Sequence, residues 1–146
     1  MMNTWKILAA KTLIDTGPIV ALIVRRDRYH HWAVTVLDDI SGILLTNPAV
    51  LTEAFHLLRK TDRGPSVLMQ MVEERFIKVE NPYPAHLGYI HQQYEKYFDS
   101  KASFADINLL AQYENNAEDP IFTIDSDFDI YKTVDGKTLN TIKPGF

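Results

Sequence analysis

Short apolar runs in this chain pass directly into helix starts, and acids stand at the passages. Thr12-Leu13-Ile14 closes on Asp15 and leads into Thr16-Gly17-Pro18. Ile43-Leu44-Leu45-Thr46 leads into Asn47-Pro48, a cap residue followed by the residue favoured in the first helical turn. Ile121-Phe122-Thr123-Ile124 closes on Asp125. Runs this short suit buried strands rather than helices. Strands that alternate with helices require crossover connections, and these produce a parallel sheet with helices on its faces. The expected fold is therefore an α/β class, three-layer α/β/α sandwich around a small parallel β-sheet. Such sheets bind ligands outside the carboxyl ends of their strands, at a topological switch point.

The spacing of apolar residues predicts strands at 11–15, 43–46, 76–80 and 121–124. Helices are expected at about 18–23, 29–40, 48–60, 65–75, 85–98 and 103–116. In the helix after Pro48, Val50, Leu51, Ala54, Leu57 and Leu58 are expected on the buried side. Asn81-Pro82-Tyr83-Pro84 reads as a turn, and Asp135-Gly136 as a turn before a last strand near Leu139–Ile142. No internal repeat, low-complexity stretch or linker interrupts the pattern, so one domain spanning 1–146 is expected.

Composition narrows the chemistry. There is no Cys, which excludes disulfides, thiolate nucleophiles and Cys-based metal sites and fits a cytoplasmic setting. Trp5 to Lys11 is too short and too interrupted by Lys to read as a signal peptide, and no apolar run has the ~18–20 residues of a membrane span. The formal charge of −4 argues against a general nucleic-acid coat. It leaves room for a nuclease, whose acidic metal pocket would itself carry several of those charges. The cations gather at Arg25, Arg26 and Arg28 and again at Arg59, Lys60 and Arg63, which also reads as two solvated helix ends.

Four acids are candidates for a site: Asp15, Glu53, Asp106 and Asp125. Each has a plain structural reading as well. Asp15 can cap the helix that follows it. Asp106 lies three residues after Ser103, a capping-box spacing. Glu53 can be a solvated helix residue, although Val50, Leu51, Ala54 and Leu57 place it close to the apolar face, where a carboxylate needs a partner or a cation. Asp125, Asp127 and Asp129 alternate, but an EF-hand reading fails. Ile130 stands where Gly is required and Gly136 where a bidentate Glu is required. His30, His31, His56, His86 and His91 lack the spacing of a helical metal pair. Six scattered glycines exclude a Gly-rich phosphate cradle. Tyr83, Tyr89, Tyr94 and Tyr97 could stack bases but read first as packing residues of one helix. Carboxylates gathered at one sheet edge repel one another. A hard divalent cation relieves that repulsion, which points to metal-assisted phosphodiester hydrolysis.

Four segments carry a resemblance to PIN domains, close to the VapC-type toxin ribonucleases of toxin–antitoxin systems. They are Leu13-Ile14-Asp15-Thr16-Gly17-Pro18-Ile19-Val20-Ala21-Leu22, Leu45-Thr46-Asn47-Pro48-Ala49-Val50-Leu51-Thr52-Glu53, Phe104-Ala105-Asp106-Ile107-Asn108-Leu109-Leu110-Ala111 and Phe122-Thr123-Ile124-Asp125-Ser126-Asp127-Phe128. Arg26 to Ala33 is similar to the family's variable second helix. The motifs are short; their order and spacing over about residues 11–130 are the specific part. The resemblance implies an endoribonuclease dependent on Mg²⁺ or Mn²⁺, an RNA substrate, an antitoxin partner and a homodimer.

By the same resemblance, Asp15 and Asp106 hold the cation, and Glu53 and Asp125 complete the cage or a second site. Asp127 is an outer member. Thr16 and Thr123 match small hydroxyl positions beside the first and last acids. Glu53 or Asp125 would orient the attacking water, and Arg25, Arg26, Arg28 or Lys101 would position the RNA backbone. Asn108 and the polar stretch Gln112 to Asn116 depart from the family's pattern, which bears on substrate preference more than on metal binding.

Two other readings stay open. The chain could be a catalytically degenerate PIN-like binding module, against which the presence of all four acids counts. A phosphatase or receiver-type domain would need a Lys and a second acid beside an acceptor Asp, and Thr16-Gly17-Pro18 offers neither.

Overall fold

The structure is a computed structural model and describes residues 9–115 and 119–145. Asn116, the expected end of the last long helix, and the segment up to Leu8 lie outside the described residues.

Five parallel strands form one sheet in the order β3-β2-β1-β4-β5: β1 Lys11–Ile14, β2 Ile43–Thr46, β3 Ile77–Val79, β4 Ile121–Phe122 and β5 Thr141–Ile142. The first two crossovers step outward from β1, through β2 to β3. The third returns past β1 to β4. The strand order therefore reverses between β1 and β4, and this is the switch point where ligands bind in open α/β sheets.

Helices cover the sheet in an α/β/α arrangement. They are α1 Thr16–Ile23, α2 His30–Asp39, α3 Pro48–Leu58, α4 Gly64–Glu73, the single turn α5 Pro82–Ala85, α6 Leu87–Lys96 and α7 Phe104–Asn115. Local chemistry explains their starts. Asp15 accepts from the Thr16 N–H at the head of α1, and Asn47 Oδ1 accepts from the Val50 N–H at 2.9 Å at the head of α3. Ser103 Oγ accepts from the Asp106 N–H at 3.0 Å in the first turn of α7.

The core is built where strand and helix faces meet: Leu13, Ile14, Ile19, Leu45, Leu58, Ile77, Ile107 and Phe122 are fully or almost fully buried. Nine consecutive residues of α7, Ala105 to Tyr113, are buried, so this helix is enclosed on all sides. Three of those residues are polar: Asp106, Asn108 and Gln112. Asn108 satisfies its amide locally by donating to the Phe104 carbonyl at 2.8 Å. Gln112 donates to the Thr46 carbonyl at 3.0 Å and accepts from Asn47 Nδ2 at 2.9 Å. That pair ties α7 to the carboxyl end of β2 and to the cap of α3.

Several sequence expectations need correction. Leu57 is 55% exposed rather than buried, because α3 packs on α1, α4 and α7 through Val50, Ala54 and Leu58 and turns Leu57 outward. The Asn81–Pro84 segment contains one turn of helix, with a cis bond at Tyr83-Pro84. The four tyrosines do not share one helix: Tyr83 lies on that turn and Tyr97 caps α6. The last strand is shorter than expected. Leu139 is buried ahead of it, after a Lys132–Thr138 bridge that closes the Asp135-Gly136 turn.

Candidate metal centre

Pairing between β1 and β4 builds the site. Leu13 lies beside Ile121 and Ile14 beside Phe122, and the Asp15 N–H donates to the Phe122 carbonyl at 3.0 Å. The next pair along this register is Asp15 and Thr123. Thr123 Oγ1 donates to Asp15 Oδ2 at 2.8 Å and accepts from the Asp125 N–H at 3.0 Å. One buried hydroxyl thus joins the acid after β1 to the acid after β4. The other oxygen of Asp15 accepts from the Thr16 N–H at 2.8 Å. Capping and participation in the cluster are therefore not alternatives for Asp15; one carboxylate does both.

Asp106 enters from the first turn of α7. Its Oδ2 accepts from the Tyr131 hydroxyl at 2.7 Å. Tyr131 is fully buried and packs edge-on against Tyr97 and Phe128. The Ser103 cap takes up the Asp106 N–H.

Asp15, Asp106 and Asp125 each offer a carboxylate oxygen, and these atoms lie within 4.8 Å of one another. Asp15 and Asp106 are buried and Asp125 is half-buried. Burial drives the Asp15 carboxyl up from 3.8 to about 7, aided by the neighbouring Asp106 charge and opposed by the Thr123 and Thr16 hydrogen bonds. Burial likewise drives Asp106 up to about 6; the Tyr131 hydrogen bond works against that rise. Both acids therefore carry unrelieved negative charge when ionised. The donor set is all oxygen, with no sulfur or nitrogen, and suits a hard divalent cation such as Mg²⁺ or Mn²⁺.

The remaining candidates surround this triad. Glu53 is exposed, the solvated position that is one of its two readings. It stays near the cluster because Thr16 Oγ1 donates to its Oε2 at 3.2 Å, and its charge bears on Asp106. Asp127 lies in the short 3₁₀ turn Ser126–Asp129, where its N–H donates to Asp125 Oδ1 at 2.8 Å. Its carboxyl is raised by partial burial and by the adjacent Asp125. Glu53 and Asp127 stand outside the close group of three.

The cations expected to position the RNA backbone lie in the loops after α1 and before α7. Arg25 and Arg26 follow the far end of α1, roughly 12 Å from its head at 1.5 Å per residue. Arg28 lies over the Tyr29 ring at 5.2 Å, and Lys101 lines a separate recess with Tyr94 and Phe98. Sequence reasoning missed Tyr131 altogether. It follows an irregular 3₁₀ turn, where no periodicity signals which way a side chain points.

Comparison with solved structures places this architecture among known ones. VapC20 of Mycobacterium tuberculosis, a sarcin-ricin loop cleaving toxin, aligns with a TM-score of 0.74 at 18% identity, over 82% of this chain and 93% of its own. VapBC2 from Rickettsia felis, determined bound to a DNA fragment from their promoter, aligns with a TM-score of 0.62 at 10% identity, over 91% of this chain and 98% of its own. No protein-family model and no curated protein matches the sequence. The chain has the fold of these two proteins, the α/β/α sandwich implied by its resemblance to PIN domains, with three aspartates drawn together at the switch point of the sheet.

Proposed function

We propose that this chain is a divalent-metal-dependent endoribonuclease, the toxin of a toxin–antitoxin pair acting in the cytoplasm. The observation that carries the reading is the convergence of Asp15, Asp106 and Asp125 within 4.8 Å at the switch point of the sheet. Buried like charges so close together are costly unless a cation joins them. The VapC fold likeness and the sequence motifs support the reaction class, and the likeness to a sarcin-ricin loop cleaving toxin supports RNA as substrate.

Asp15, Asp106 and Asp125 are the residues that would hold Mg²⁺ or Mn²⁺. Such an ion supplies Lewis acidity, stabilising charge on the phosphoryl oxygens and acidifying water. Thr123 and the Thr16 N–H fix both oxygens of Asp15. Tyr131 fixes one oxygen of Asp106. Glu53, exposed and held by Thr16, would orient a water and take its proton. Asp127 supports the outer side through Asp125. An antitoxin partner and a homodimer belong to the same proposal; the resemblance supports both, and the VapBC2 complex supports the antitoxin. Among the described residues, no helix is long and apolar enough to cross a membrane.

The test is cleavage of labelled structured RNA by pure protein with Mg²⁺, Mn²⁺ or EDTA, beside Asp106→Asn. Metal-dependent cutting that disappears in the variant is expected. Equal cutting by the variant, with contaminating nuclease excluded, would overturn the assignment. Metal binding without cutting of any RNA would favour the degenerate binding module.

A further inference from the structure

Two basic stretches far apart in sequence meet in one groove. Arg25 and Arg26, after α1, face Lys60 and Arg63, which lie between α3 and α4. The groove has a volume of about 840 Å³ and a floor that includes Val24 and Val67. All four cations are exposed, and none is in an ion pair; among the described residues the one ion pair joins Lys143 to Asp129. Asp62 is the single acid in the lining. Arg59 is excluded, since its guanidinium donates to the His56 carbonyl.

The turn that presents Arg63 is specially built. Arg63 has φ of 63°, the left-handed conformation that glycine adopts freely and a long side chain such as Arg rarely does. A Cβ on Gly64 would fall 2.0 Å from Thr61 Oγ1, and that hydroxyl donates to the Leu58 carbonyl. The tight turn holds Arg63 in place at the head of α4. No side chain caps α4 there. An uncapped helix head beside four cations favours anionic oxygen ligands.

Charge also identifies the occupant. The chain is acidic overall, and without a cation the carboxylate cluster repels a phosphodiester. Attraction for a polyanion must come from elsewhere on the surface, and guanidinium groups match phosphate oxygens in pairs. We propose that the Arg25–Arg26–Lys60–Arg63 groove is an RNA-backbone site, roughly one α1 length (~12 Å) from the carboxylates, that holds a flank of the RNA cleaved there. This inference rests on the ribonuclease reading and adds to it a second contact region on the substrate.

The experiment measures binding of a labelled RNA hairpin to full-length Asp106→Asn protein by fluorescence anisotropy across a salt series. The comparison is the same protein carrying Arg26→Gln and Lys60→Gln, with Lys78→Gln and Lys96→Gln as a charge-matched control on other elements. Loss of two phosphate contacts should weaken binding about tenfold at low salt and lower the salt slope by about 1.4, at ~0.7 per contact on single strands. The control pair should change neither. Equal effects of both pairs, or none from the groove pair, would overturn the groove. If wild-type protein still cuts RNA in that case, the ribonuclease reading survives. Absence of both cutting and binding would remove both.

Discussion

The Tyr131 hydroxyl lies 2.7 Å from Asp106 Oδ2 and donates to it, so a fully buried phenol sets one side of the acidic cluster. Tyr131→Phe keeps the ring contacts with Tyr97 and Phe128 and removes only the donor. Stability should fall by about 1 kcal/mol. Mn²⁺ affinity, read by calorimetry, should drop about tenfold or more, as when an outer partner of a ligand is lost. Unchanged Mn²⁺ affinity would mean that Tyr131 serves packing alone.

Asp106→Asn should have opposite effects on stability and function. The amide oxygen can still accept from Tyr131, and one buried negative charge disappears from beside Asp15. Without metal, the variant should melt several degrees above wild type, for a gain of about 1–2 kcal/mol. Its stabilisation by Mg²⁺ or Mn²⁺ should be largely lost. Thermal melts with EDTA and with metal test both statements, and a metal-free variant less stable than wild type would contradict the repulsion argument.

The pH dependence has an unusual sign. Burial raises Asp15 to about 7 and Asp106 to about 6 in the metal-free protein. A carboxyl raised on folding binds its proton more tightly in the native state. Its stabilising effect is complete below its unfolded value near 4 and is lost as pH climbs through the folded value. For Asp15 the shift from 3.8 to about 7 corresponds to an upper limit of roughly 4 kcal/mol. Metal-free protein should therefore lose stability between about pH 4 and pH 7. Protons compete with metal for the same oxygens, so Mn²⁺ affinity should rise over that window. Melting in EDTA and in Mn²⁺ across the range checks both; a metal-free protein that stabilises steadily toward pH 8 would count against buried acids at this site.

Gln112 joins the Thr46 carbonyl to the Asn47 side chain, and all three residues are buried. Gln112→Leu fills similar space and leaves the Thr46 carbonyl and the Asn47 amide without these partners. Destabilisation of about 2–4 kcal/mol is expected by urea unfolding. Because Asn47 also caps α3, the variant should disturb the placement of Glu53 relative to Asp106, and cleavage should fall even at temperatures where the protein is folded.

Much of the architecture was legible in the chain because it follows from local rules. The apolar runs at β1, β2 and β4, the Asn47-Pro48 start of α3 and the Ser103 start of α7 are written in neighbouring residues. Alternation of those elements was enough to imply a parallel sheet. The acids at strand ends were visible as candidates for the same reason. Leu57 is misplaced, and the position of Glu53 is left open, because apolar spacing gives the width of a helix face but not which neighbours cover it. Here α1, α4 and α7 cover Val50, Ala54 and Leu58 and leave Glu53 and Leu57 outside.

The sequence by itself determined the order of elements, the caps and the acids that strand ends would carry. Those depend on hydrophobic periodicity and on hydrogen bonds between residues a few positions apart. Tertiary structure alone decided which acids approach one another: β1 and β4 pair across more than a hundred residues, bringing Thr123 to Asp15. It also decided that Tyr131 buttresses Asp106 and that Arg25, Arg26, Lys60 and Arg63 share a groove. These relationships are set by sheet register and helix packing. They cannot be read from spacing along the chain, because residues distant in sequence meet only once the crossovers have closed.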